Sequence, residues 1–260
     1  MPINEEAQSG APDVRHRPVR MVFTTRAGGA SASPYDSFNL GDHVGDDPAA
    51  VAANRQRLQR ILGVETVVYM EQLHTNTVTV VDGSSTRIEA TDALVTTRPG
   101  VALAVLVADC VPVLLADHRA GVAAAVHAGR LGARNGIVAA TVAQMERLGA
   151  RPGAITAVLG PAASGRNYEV PAEMAADVEA KLPGSRTTTA KGTVGLDLRA
   201  GIVRQLLSLG VTAIEADPRC TIEDKDFFSY RREGTTGRQA GVVWLNPAAN
   251  SPATLKEQQS

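Results

Sequence analysis

The most constraining feature of this sequence is a set of three successive apolar segments with almost no polar alternation. They are VALAVLVA (101–108), VPVLLAD (111–117) and GVAAAV (121–126). Runs of this length bounded by turn residues read as strands, and strands apolar on both faces belong to a sheet covered on both sides. The chain must therefore supply layers above and below its sheet. Shorter β-branched runs at TVVYM (66–70), TVTVV (77–81) and ALVTT (93–97) add strands before them, VRMVFTT (19–25) opens the series, and AITAVLG (154–160) and GVVWL (241–245) come later. Strand direction is left open by runs of this kind.

The covering layers are also visible. DDPAAVAANRQRLQRILG predicts a helix capped by Asp47, with Pro48 in its first turn and Gly63 at its exit. Its apolar face is expected to carry Val51, Leu58, Ile61 and Leu62. LGARNGIVAATVAQMERLG (131–149), PAEMAADVEAKL (171–182) and DLRAGIVRQLLSLG (197–210) predict three more helices. No linker or internal repeat divides the chain, so one domain over 18–246 is expected, with strands and helices intermixed. Residues 1–17 and 247–260 read as loose tails rich in Pro, Ser, Ala and Gln.

Charge and composition narrow the function classes. Twenty-six Lys and Arg against 27 Asp and Glu leave a formal charge of −1. No basic surface points to nucleic acid or to an anionic membrane. No apolar run reaches transmembrane length, and the first residues lack the apolar stretch of a signal peptide. Two cysteines, Cys110 and Cys220, make no disulfide framework, so a cytoplasmic, reducing location is expected.

The five histidines are few enough to sort by hand. His16 lies in the tail and His118 in a polar turn, which leaves His43, His74 and His127. His74 follows a strand in EQLHTNTV. Cys110 stands between two apolar runs in VADCVPV. His127 closes a run just before the small residues of HAGRLG, where a ligand can approach the backbone. His74, Cys110 and His127 together form a reasonable three-ligand set for Zn²⁺, with a fourth position open for water or substrate. The same atoms admit a second reading, in which Cys110 is a nucleophile and His127 its base. A trinuclear copper cluster plus a separate blue-copper site would consume more histidines than this chain has, although one copper in place of zinc stays open. Three polar, Gly-rich islands supply arginines for an anion and aromatic rings for a planar base: TTRAGGASASPYDSFNLGDHVGDD, GPAASGRNYEV and FFSYRREGTTGRQAG.

These segments resemble, in order and approximate spacing, the YfiH-like family, also called the laccase-domain or multicopper polyphenol oxidase family. The resemblance rests on FTTRAGGAS…NLGDHVGDDPAAVAANRQRL, QLHTNTV, TDALVTTRPGVALAVLVADCVPVLLAD, AAAVHAGRLG, GPAASGRNYEV and CTIEDKDFFSYRREGTTGRQAGVVWL, from about Phe23 to Leu245. It implies a single α+β domain with mixed β-sheets flanked by helices. It implies a zinc-dependent enzyme that phosphorolyses adenosine, inosine and methylthioadenosine and deaminates adenosine, with metal on His74, Cys110 and His127. The implied partners are a purine nucleoside and phosphate, in a monomer or weak homodimer. A role in correcting cell-wall precursors is attached to some members. The chain departs from the family at HAGRLG, where HAGWRG is usual, so Arg130 stands where Trp is common and Leu131 where Arg is. Asn167 stands where a Cys is often found.

On this reading orthophosphate attacks the ribose anomeric carbon as the purine leaves. Arg26 is the first candidate for the anion, followed by Arg130 and Arg231. Asp109 adjoins Cys110, but strand neighbours point to opposite faces, which weakens it as a proton shuttle. The alternatives are a Cys-His thiol hydrolase or amidase on a cell-wall peptide precursor, a copper-dependent polyphenol oxidase, and a non-catalytic metal-binding protein.

Overall fold

The computed structural model describes residues 18–247. The first predicted tail, and all but Pro247 of the second, lie outside the described residues. The strands are β1 (Val19–Phe23), β2 (Thr66–Met70), β3 (Val78–Val80), β4 (Arg87–Ile88), β5 (Ala93–Thr96), β6 (Val101–Val107), β7 (Val111–Asp117), β8 (Val122–Ala128), β9 (Thr156–Leu159), β10 (Arg186–Thr188), β11 (Val194–Leu196), β12 (Ala213–Ala216) and β13 (Gln239–Leu245). The helices are α1 (Pro48–Leu62), α2 (Arg130–Arg134), α3 (Ile137–Arg147), α4 (Ala172–Lys181), α5 (Leu198–Ser208) and α6 (Tyr230–Glu233).

Two sheets stack face to face. One has the order β1-β13-β6-β2-β4, the other β12-β9-β7-β8-β5-β3, while β10 and β11 form a separate hairpin. Both large sheets are mixed: β13 runs antiparallel to β6 and β2 parallel to it, and β8 is antiparallel to both β5 and β7 whereas β3 is parallel to β5. Alternation along each strand divides the core into three layers. Leu103 and Val105 of β6 meet Leu114, Ala123 and Ala125 of the other sheet. Ala102, Ala104 and Leu106 face the opposite way, with Leu58 of α1. Val113, Leu115 and Val126 pack under Ile137 and Met145 of α3, Val178 of α4 and Ile202 of α5. This is the two-sided cover that the apolar runs demanded. β8 holds the alanines of GVAAAV although alanine is the best helix former. The propensity difference is under about 1 kcal/mol per residue, and burial between two layers outweighs it.

α1 begins and ends where its sequence indicates. The Asp47 carboxylate accepts from the Ala49 N–H, and Gly63 leaves the helix at φ 66. Its inner face differs from the expected one. Ile61 is 67% exposed, while Asn54 is buried. Asn54 donates to Ser31 Oγ and to the carbonyls of Ser37 and Asn39, and accepts from Ala30 N–H. An apolar count could not anticipate a buried amide that ties the 30–39 loop to the helix. The single helix expected over 131–149 is two helices, because the chain turns through Gly136 at φ 83. The short strands β4, β10, β11 and β12 and the four-residue α6 carry no periodic signal and were not expected.

Candidate metal centre

Sheet topology brings the three ligand candidates to one edge of the sandwich. Residues 108–110 carry the chain from β6 in one sheet to β7 in the other, and residues 71–77 carry it from β2 to β3 across the same interface. Cys110 sits on the first crossing and His74 on the second. His127 is near the end of β8, where it pairs in register with Pro112. That register places Cys110 beside His127 despite the turn between their strands. The ligand atoms of His74, Cys110 and His127 all lie within 4.8 Å of one another. The two imidazoles meet edge to face at 4.7 Å between centroids.

Asp92, the step into β5, organises both histidines. Its carboxylate accepts from the N–H groups of Leu73, His74 and Thr75 at 3.2, 3.0 and 2.7 Å, and from the Thr75 hydroxyl at 2.7 Å. It also lies 2.8 Å from His127 Nδ1. The three amides hold His74 at φ 60, a backbone conformation that non-glycine residues rarely adopt. The bond to Nδ1 orients the His127 ring so that its other nitrogen is available to a ligand. The one local signal for Asp92 in the sequence is a charged residue at the threshold of a wholly buried strand.

The electrostatics follow from this packing. Burial works against ionisation of Asp92, but hydrogen bonds from His127 and Thr75 outweigh it and hold the carboxyl at about 2. Burial also disfavours protonation of His127. The neighbouring Cys110 and the Asp92 carboxylate outweigh it, and push the imidazole up to about 9. His74 is shifted down, by burial and then by the neighbouring His127.

Gly129 makes the cluster possible. A methyl group on its Cα would lie 2.5 Å from His74 Nδ1 and 3.2 Å from Cys110 Sγ. Its backbone, at φ −70 and ψ 168, suits any residue, so Gly129→Ala is expected to fold. We expect it to lower turnover about 100-fold, since a misplacement of about 1 Å in catalytic groups costs that much. Metal titration alongside a thermal melt checks both halves of the expectation.

Two cavities share the Cys110 wall. One, of about 360 Å³, is lined by His43, Gln72, His74, Cys110, His127, Tyr230 and Arg238. The other, of about 270 Å³, is lined by Asp109, Cys110, Arg130, Tyr168, Tyr230 and Arg231. Arg130 opens α2, and the Arg231 guanidinium lies 4.9 Å over the Tyr168 ring while donating to the Glu169 carbonyl. Arg26 lines neither cavity. It donates to Glu233 at 2.7 Å and to the Asp36 carbonyl at 2.9 Å, and its guanidinium lies over the Phe228 ring. Asp109 also differs from expectation. It lies in a bend at φ 96, outside any strand, so strand alternation does not govern it. Its carboxylate accepts from the Thr221 hydroxyl and the Arg231 N–H, both at 2.7 Å.

The donor set suits a metal ion. Two imidazoles and a thiol close together are the ligands of borderline metals. Among the described residues, no helix is long and apolar enough to cross a membrane.

Comparison with known proteins places the chain. The family model described as multi-copper polyphenol oxidoreductase laccase matches residues 20–246. A purine nucleoside phosphorylase of Corynebacterium glutamicum is 72% identical over 238 residues, covering 90% of this chain and 97% of the relative. YlmD from Geobacillus stearothermophilus has the same fold, with a TM-score of 0.83 and 34% identity over 91% of this chain and 94% of that one. The Bacillus licheniformis hypothetical protein YfiH is similar at TM-score 0.82 and 33% identity, over 88% and 93% of the two chains. Matched span, shared fold and the order of the motifs lead to one conclusion: the chain belongs to the YfiH-like, laccase-domain family.

Proposed function

We propose that this chain is a zinc-dependent purine nucleoside phosphorylase that also deaminates adenosine. The observation that carries the reading is the pair of cavities meeting at Cys110, one holding the His74–Cys110–His127 cluster and the other two arginines and two tyrosines. Such a site accepts an anion and a planar base side by side. The Corynebacterium relative bears the phosphorylase name at 72% identity. His74, Cys110 and His127 would hold a Zn²⁺ ion, which would supply Lewis-acid polarisation. Asp92 keeps His127 oriented for that ion. Arg130 and Arg231 neutralise orthophosphate, with Arg26 set back because Glu233 already engages its guanidinium. Tyr230, on the wall common to both cavities, offers a face on which the purine stacks. In the reaction a bond forms from phosphate oxygen to the anomeric carbon, and the bond from that carbon to the purine nitrogen breaks. Two free cysteines and the sequence composition support a cytoplasmic location.

The test is an assay of metal-replete protein on adenosine and inosine with and without phosphate. Ribose-1-phosphate and free base should form only with phosphate, and adenosine should yield inosine without it. Metal analysis of the purified protein distinguishes zinc from copper. Absence of any purine reaction in metal-replete protein sinks the reading. A second reading keeps one specific observation on its side, because the Cys110 sulfur lies within 4.8 Å of a ring nitrogen of the buried His127 and helps raise its pKa, as in a thiol hydrolase pair. The His74 variant discussed below separates the two.

A further inference from the structure

His43, in the NLGDHVGDD segment, is a chemically capable residue that neither the metal cluster nor the anion site uses. It lines the larger cavity together with His74, Cys110 and His127. Gln72 and Arg238 on that wall are committed. Gln72 donates to the Leu106 carbonyl and accepts from the Leu106 N–H. Arg238 donates to the carbonyls of Thr236 and Gly237. Tyr230 carries a phenol, a weak acid near neutral pH. His43 alone on that wall is an uncommitted group of the type that gives and takes protons near neutrality.

Its surroundings hold it in place. Asp42 is clamped by Arg55 of α1 at 3.3 Å and by Arg87 of β4 at 3.1 Å. The Asp42 carboxylate lies 3.6 Å from His43 Nδ1. His43 Nε2 makes no hydrogen bond to protein among the described residues. The side chain is 55% exposed, so it can exchange protons with solvent when the cavity is empty. The loop around it is also pinned. Asn39 donates to Asp46, and the Tyr35 hydroxyl donates to the Val44 carbonyl.

We propose that His43 is the general acid that protonates the departing purine. The inference rests on the phosphorylase reading above. As the bond from phosphate oxygen to the anomeric carbon forms and the bond to purine N9 breaks, the electron pair of the broken bond stays on the purine. The His43 proton goes to purine N7, so that a neutral base leaves. Hydrogenphosphate releases its own proton to solvent on becoming the phosphate ester, and solvent reprotonates His43. The charged and titratable groups facing His43 are Asp42, Arg55, Tyr69, Glu71, His74, Arg87, Cys110, His127, Tyr230 and Arg238. Burial and then Arg238 lower its pKa, with Asp42 opposing them. Its acid form therefore prevails below the ordinary histidine range, which makes it a stronger acid toward the base.

The experiment compares the metal-loaded wild type, His43→Ala and His43→Gln on inosine and on 7-methylinosine. The second nucleoside already carries an alkyl group on N7, so its base leaves without a proton. We expect turnover of inosine to fall about 100-fold, the usual contribution of a general acid. Turnover of 7-methylinosine should fall less than about threefold on the same reasoning, with bound metal unchanged. Added imidazole should restore part of the inosine activity of His43→Ala. Equal loss on both nucleosides, no loss on inosine, or no rescue by imidazole would overturn the proton role. A wild type inactive on both nucleosides instead overturns the phosphorylase reading and this inference with it. His43→Gln keeps the comparison available should the alanine variant fold poorly.

Discussion

On the proposed zinc phosphorylase reading, replacing His74 by alanine is expected to abolish metal binding while leaving the protein folded. The His74 side chain is exposed, and its backbone is fixed by bonds to Asp92 that run through main-chain amides rather than the imidazole. Stability of the metal-free protein should therefore change by no more than about 0.5 kcal/mol, as for other surface substitutions. Two remaining ligands, Cys110 and His127, do not hold a borderline ion at the affinity of three. A Lewis acid contributes several kcal/mol to the transition state, so phosphorolysis should fall about 1,000-fold or more. Metal analysis and a phosphate-dependent assay read both effects. The same variant separates the chemistries that share this site. A thiol hydrolase needs Cys110 and His127 but can dispense with His74. Activity that survives His74→Ala and disappears with Cys110→Ala would support the thiol chemistry and reject the metal-dependent one.

The second large effect is expected at Asp92. Its carboxylate is fully buried and accepts from three amides, a hydroxyl and the His127 ring. Asp92→Ala leaves all of these donors facing a cavity. Breaking a buried charged network by removing one partner costs about 3–5 kcal/mol, which should appear as a pronounced drop in the thermal midpoint. Asp92→Asn keeps the size but turns an amide NH₂ toward existing donors. It should fold less stably and bind metal about 10–100-fold more weakly, the usual effect of losing the partner that orients a ligand histidine. The pH dependence has a definite sign. The folded carboxyl titrates at about 2, below its ordinary 3.8. Its stabilisation is complete above the ordinary value and drains away as pH falls from about 4 to about 2. The stability difference between wild type and Asp92→Asn should therefore be largest at neutral pH and shrink across that window. A difference that stays constant from neutrality to pH 2 would show that the charge of Asp92 does not act this way.

The legibility of each feature followed the range of the interaction behind it. The α1 boundaries were readable because Asp47 and Gly63 act within a turn of their own helix. The apolar runs were readable because two-sided burial leaves a local signature, and β6, β7 and β8 are buried at every position. The outward position of Ile61 is not legible in spacing, because Asn54 takes the inner position through bonds to a loop 15–24 residues away. Strand alternation does not govern Asp109, which occupies a bend tied by hydrogen bonds to Thr221 and Arg231, more than 100 residues later.

Residue chemistry alone determined which groups in this chain were able to act. Scarce histidines, one cysteine between two strands and a small-residue turn after His127 marked the ligand candidates, and motif order pointed to the family. Tertiary structure decided the rest. Two crossings between sheets and the pairing of Pro112 with His127 draw His74, Cys110 and His127 to within 4.8 Å. Asp92 gained its role only when β5 lay beside β8, and Arg26 lined a different surface because Glu233 holds it. Local sequence encodes propensity and burial, whereas a site assembled from residues far apart in the chain depends on strand order and register. Those are set by the packing of the whole core.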